Sequence, residues 1–358
     1  MLTAKLSDVC EGRDNNLNLI RMILATSVIV SHSYPIALGS GVDEPLEAYL
    51  GFSLGKLAVY GFFILSGFLV AQSYVKRNDP IDFSAARIFR IFPGLIVVIL
   101  LTAFLLAPML TSLSMSEHFS SMETYSYVIR NISLIKLQFS IPGLFEENIY
   151  GSAINGSLWT LPHELACYVL LLIAGIIGFF RSNLIFWLII LTYVSLYLLF
   201  SPHFLALSNI SQITNLADLS FAFLVGVMFC KFQRHIFLSP AHIVVLLLVT
   251  ILLHDTYFFV PVFLLFYAVL LFWLGYIPSG FIRKYNNVGD YSYGTYIYAF
   301  PVQQILSYYG MNNPDSMTLL TFLIVLPLAI LSWHIVEKPS LRLRSVASSK
   351  FKEKYLST

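Results

Sequence analysis

Apolar runs recur along the whole chain, at 17–36, 51–75, 88–110, 160–180, 183–200, 215–232, 240–254, 257–276, 288–308 and 317–336. A bilayer's hydrocarbon core takes about 20 mostly apolar residues to cross as a helix. Only helices and closed barrels satisfy their backbone polar groups there. Hydrophobic residues make up 58% of the chain and charged residues 11%, against about 45–50% and 25% in soluble domains. The pattern predicts an all-α polytopic membrane helix bundle of about ten transmembrane helices, read as a single domain over 1–358. Only His254-Asp255-Thr256 separates the seventh and eighth runs. As one helix, 240–276 would extend ~55 Å against a ~30 Å core, so two crossings joined by a tight turn are expected.

Basic residues orient the bundle. With the N-terminus inside, 17 of the 21 Lys and Arg fall in inner segments. Lys56, Arg130 and Lys136 fall outside, and Arg21 lies within the membrane. This positive-inside asymmetry predicts that both termini are cytoplasmic, a result nine or eleven spans would not return. The longest segment between runs, 111–159, is then an outer loop, and loops of that length are commonly functional. Its stretch Tyr125–Ile135 is apolar enough to lie on the membrane or plug a cavity. The first sixteen residues are polar and the first run has no small-residue cleavage site, so no cleavable signal peptide is expected. Cys10, Cys167 and Cys230 are too scattered for a disulfide framework or metal cluster.

Ionisable residues inside spans are the functional candidates, because each costs roughly 2.5–3.5 kcal/mol on insertion scales. Arg21 and His32 share the first run, eleven residues apart. Three helical turns place them on one face, ~16 Å apart along the axis. Arginine snorkelling and a hydrogen-bonded helix-end histidine are the plain alternatives. Arg87 and Arg90 open the third run at i,i+3 and share a face. A guanidinium pair suits phosphate through its planar fork, although two basic residues at a cytoplasmic helix end are more simply positive-inside anchors.

Glu164 sits ~6 Å below the outer face, at His32's depth, where a carboxylate raises an imidazole's basicity and fixes its tautomer. Trp159 reads as an interface anchor or a stacking surface for a sugar. Asp290, at the start of the ninth run, reads most simply as a helix cap. No histidine spacing suggests a metal, and no glycine-rich phosphate loop or G-x-S-x-G elbow is present.

These motifs resemble those of the acyltransferase-3 family of integral membrane O-acyltransferases. R-x10-H appears as Arg21 to His32, and the second-span signature as Gly61-Phe-Phe-Ile-Leu-Ser-Gly-Phe-Leu. The arginine pair is Arg87-Ile-Phe-Arg90 with Pro93, and W-S/T-L-x-x-E is Trp159-Thr-Leu-Pro-His-Glu164. Asp290-Tyr-Ser-Tyr-Gly-Thr-Tyr and Val336-Glu-Lys-Pro339 also fit, so the likeness runs from end to end. One departure is Ala299, where many relatives carry histidine before Phe-Pro. Longer relatives also have an extra span and an esterase-like domain beyond the ten runs.

The resemblance implies an acyl-CoA donor, acetyl-CoA by preference, bound from the cytoplasm by Arg21, Arg87 and Arg90. His32 and Glu164 are then the catalytic pair, with no metal. The acceptor is a carbohydrate hydroxyl on O-antigen, capsule, exopolysaccharide or glycolipid, reached from the cell's inner (plasma) membrane. The bilayer and the carbohydrate are the expected partners, nucleic acid is not one, and a homo-oligomer is left open. The competing reading is a polytopic transporter or flippase, for which buried Arg, His and Glu would form a proton relay.

Overall fold

In the computed structural model the backbone is described at residues 2–207 and 211–356, and the side chains of those residues except 198–207, 211–213, 350, 351 and 354–356. Helices occupy all ten apolar runs: α1 (Leu17–Leu38), α2 (Leu54–Arg77), α3 (Pro80–Leu101), α6 (Thr160–Ile177), α7 (Asn183–Leu207), α8 (Ser211–Lys231), α9 (Pro240–Leu252), α10 (Phe259–Tyr276), α11 (Ser292–Tyr308) and α12 (Pro314–Ser332). Two further helices, α4 (Met115–Ser120) and α5 (Met122–Ser133), lie in the predicted outer loop, and α13 (Lys338–Leu356) follows α12. Among the described residues, seven stretches are long and apolar enough to cross a membrane. The protein is an all-α, multi-pass membrane bundle.

The seventh and eighth runs are two helices, as their spacing predicts. Ser239 caps α9 by accepting the His242 N–H, and Pro240 occupies the first helical position, where its missing N–H is harmless. At 13 residues α9 extends only about 20 Å, short of the ~30 Å core. Asn313 and Pro314 start α12 in the same way. Pro93 lies inside α3 rather than at its start, so Arg87 and Arg90 occupy one continuous helix. Thr102–Leu106 and Trp333–Glu337 are wound as π-helix just before Pro108 and Pro339. A proline removes one i→i−4 bond and crowds that carbonyl, and a widened turn accommodates it.

The chain forms two compact units, each assembled from separated segments. The first comprises 1–20, 60–83 and 163–288. Here α2 and α8 cross at two glycines. A Cβ on Gly67 would stand 2.0 Å from the Phe223 carbonyl oxygen, and one on Gly226 would stand 2.0 Å from that of Ile64. Small residues of this kind let helix backbones meet where no hydrophobic drive joins helices in lipid. Phe68 then packs on Phe272 of α10 at 4.7 Å between ring centroids. The Asn16 amide donates to the Leu274 and Pro278 carbonyls, closing the helix end, and a two-residue strand pair joins Ala4–Lys5 to Phe237–Leu238.

The second unit comprises 21–59, 84–162 and 289–358. Its axis is the pairing of α1 with α11. Thr295 Oγ1 donates to Met22 Sδ, Gln303 Nε2 donates to the Ile29 carbonyl and Ser33 Oγ at 2.8 Å, and Ser307 donates to the Ile36 carbonyl. Numbers rise together on both helices, so they run parallel, as first and ninth crossings must. Next, α12 returns antiparallel along α11: Gly294 abuts Ala329, and Thr318 donates to Ser33 at the other end. The 111–159 segment is ordered, with a Ser114–Glu117 capping box on α4 and Gln304 donating to the Gly151 and Ala153 carbonyls.

Gly226→Ala forces α2 and α8 apart and lowers stability by about 1–3 kcal/mol. The midpoint of thermal unfolding in detergent measures it, and an unchanged midpoint contradicts the glycine crossing.

Candidate active site

Two polar sites occupy the second unit, both along the face of α1 that meets α11. The first surrounds Asp290. Gly289, at φ +151°, sets the turn into α11, and a Cβ there would strike the Trp333 ring at 2.8 Å. Asp290 is thereby turned to accept from Arg21 of α1, from Arg90 Nη2 of α3 at 2.6 Å and from Ser292 Oγ at 2.6 Å. Glu337, at the end of the second π-turn, faces Arg90 at 3.5 Å and takes a hydrogen bond from Ser332. Arg90 also lies over the Tyr293 ring, whose hydroxyl donates to the Ile91 carbonyl.

Two guanidiniums and two carboxylates balance in charge, which is how such groups persist in a low-dielectric setting. Side-chain exposures of 24% for Arg21 and 16% for Arg90 leave both guanidiniums within reach of a ligand. Asp290 is therefore the hub of an ion cluster rather than a helix cap, since α11 has no side-chain cap. Arg87 lies half-buried one turn before Arg90 on α3.

The second site is a cleft of about 400 Å³ into which His32 projects. Phe300 meets the imidazole edge-on at 5.3 Å, and Tyr150 packs on the other side of Phe300 at 5.6 Å. His32 Nδ1 is buried without a hydrogen-bond partner. Trp159 lines the cleft, as does Gly156, where a Cβ would stand 2.6 Å from the Phe300 ring. Asn155 fixes this bend by donating to the Ile297 carbonyl at 2.9 Å. The remaining wall carries Asp43, Glu44 and Glu47. Burial pushes the Tyr150 phenol upward, and the negative charge of Glu44 adds to that.

The structure thus brings Arg21 and Arg90 together and sets His32 three turns further along the same helix. Glu164 belongs to the first unit, where its carboxylate accepts from the Tyr168 hydroxyl and, at 3.3 Å, from Ser66. The sequence reading missed Glu44, and it quoted Glu337 in Val336-Glu-Lys-Pro339 without giving it a role. Glu337 had a further signal, being an acidic residue just past the end of an apolar run. Glu44 had none, because it lies in a polar loop. Among the described residues, no group of three His, Cys, Asp or Glu side chains is placed to hold a metal ion.

Residues 14–336 match the family model described as an acyltransferase domain, Acyl_transf_3. The chain belongs to the acyltransferase-3 family. This acyltransferase is 33% identical to an O-acetyl transferase of Shigella phage Sf6 over 349 residues, which cover 91% of this chain and 96% of the phage protein. It is 29% identical to nodulation protein 10 of Rhizobium leguminosarum bv. viciae over 164 residues, 45% of this chain and 44% of that protein. No solved structure matches it. Membership decides for a membrane enzyme over a carrier.

Asp290→Ala leaves the cluster with an uncompensated positive charge and destabilises the acyltransferase by about 3–5 kcal/mol. Arg21→Gln combined with Asp290→Asn loses less than the sum of the single changes, because the partners are coupled. Thermal unfolding of the wild type, the three single variants and the double variant in detergent measures both, and simple additivity would show that the cluster is not a unit.

Proposed function

We propose that this acyltransferase moves an acetyl group from acetyl-CoA on the cytoplasmic side to a hydroxyl of an extracytoplasmic cell-surface carbohydrate or glycolipid. The observation that carries the reading is His32, its Nδ1 unpartnered in an aromatic- and carboxylate-lined cleft, on the same helix face as Arg21. The name of the phage relative supports acetyl as the group transferred. The distribution of Lys and Arg supports cytoplasmic termini, which puts the Arg21 end inside and the His32 end outside.

Arg21, Arg87 and Arg90 hold the donor's phosphates, with the forks presented from α1 and α3. Acetyl-CoA supplies an activated thioester, and the ~16 Å from Arg21 to His32 is comparable to its extended pantetheine arm. His32 accepts the proton of the acceptor hydroxyl as that oxygen bonds to the acyl carbon and the C–S bond breaks, then returns the proton to the departing thiolate. Glu164 is the second catalytic group, its carboxylate fixed by Tyr168 and Ser66. Trp159 offers the acceptor ring a flat apolar surface within the cleft.

His32→Gln reaches the membrane in normal amount but lowers transfer by about 10²-fold or more, the usual share of a general base. Mass spectrometry of surface glycans, with and without the gene and with the variant, reads the loss of an ester. An ester level equal to wild type removes the assigned chemistry.

A further inference from the structure

His32 Nδ1 is buried without a hydrogen-bond partner, yet a fixed carboxylate shares its cleft. Glu44 is held from two directions. Its Oε2 accepts from the hydroxyl of Ser31, the residue next to His32 on α1, and its backbone N–H donates to Glu47 Oε2 at 3.0 Å. The Ser31 oxygen in turn accepts the N–H of Gly55, in the first turn of α2, at 2.7 Å. A Cβ on Gly55 would stand 3.0 Å from Ser31 Oγ and 3.4 Å from Glu44 Oε2, so the chain closes tightly around this carboxylate. Glu44 lines the same cleft as His32 and Tyr150, and its charge reaches the phenol of Tyr150. Asp43 and Glu47 are the other acidic groups on the cleft wall, and among the described residues no Lys or Arg lines it.

A carboxylate placed beside an imidazole stabilises the imidazolium that forms when a hydroxyl proton is taken up. We infer that Glu44 is the positioning residue for His32: held by Ser31 and Glu47, it stabilises the protonated imidazole during transfer. This inference rests on the reading of His32 as the base. It gives the electrostatic support of His32 to Glu44, which belongs to the same unit.

The test uses the full-length protein in detergent or nanodiscs, with acetyl-CoA and with glycan extracted from cells lacking the gene. Glu44→Gln keeps the acceptor atom for Ser31 but removes the charge, and kcat falls roughly tenfold or more while the KM for acetyl-CoA stays within about twofold. Glu44→Asp, with its charge retained, recovers a substantial part of kcat. Glu44→Ala regains activity in sodium formate but not in sodium chloride of equal ionic strength, because formate restores a carboxylate to the cleft. That rescue also shows the variant to be folded. The inference is overturned if Glu44→Gln keeps kcat within about twofold of wild type, or if formate and chloride act alike on Glu44→Ala. His32→Gln run alongside separates the two levels: full activity there defeats the assignment of the base itself, whereas its loss with an active Glu44→Gln defeats only the role of Glu44.

Discussion

Asp290 held between two guanidiniums is the interaction on which the second unit depends. An arginine in a span is costly alone, and so is an aspartate, but each removes the other's penalty when they meet. Because the two arginines come from α1 and α3 and the carboxylate from the entry to α11, the pairing fixes three segments distant in sequence. Glu337 adds the end of the α12 run through Arg90. Desolvated charges tolerate little displacement, so this cluster sets the register of the unit more sharply than apolar contacts would.

Register is what carries that constraint to the far end of α1. From Arg21 against Asp290, the helices continue through Met22 with Thr295, Ile29 and Ser33 with Gln303, and Ile36 with Ser307. Gln303 is fully buried, so a slip of one residue would strand its amide in an apolar setting. Held in this way, His32 must face Phe300, and the bend at Asn155-Gly156 must close over that ring. A cleft beside one end of α1 is therefore aligned by charges at the other.

Much of this was legible in the sequence, for reasons that can be named. Length and apolarity determine spans in a bilayer, so ten runs became ten helices, including the break at His254-Asp255-Thr256. An eleven-residue spacing on a helix is a statement about one face, and Arg21 and His32 do both meet the α11 side. Asp290 was harder, because an acidic residue before a helix looks like a cap whether or not two arginines wait for it. Glu44 was illegible. It lies in an aperiodic loop, and its place beside His32 depends on Ser31, Gly55 and Glu47 converging through the fold. The shortness of α9 was also hidden, since the apolar run continues past Leu252 while the helix does not.

The two ends of α1 also differ in what they ask of a ligand. Near Arg21 the charges already balance, so an anionic group there gains direction from the guanidinium forks more than net attraction. Near His32 the cleft wall carries carboxylates and, among the described residues, no Lys or Arg, so it favours hydroxyl donors and repels anions. On the proposed reading, this polarity separates the partners before chemistry begins. Phosphates meet carboxylates on that wall, while a neutral sugar finds there hydrogen-bond acceptors and an aromatic surface. The same helix can then present one reactant from each side without either blocking the other's place.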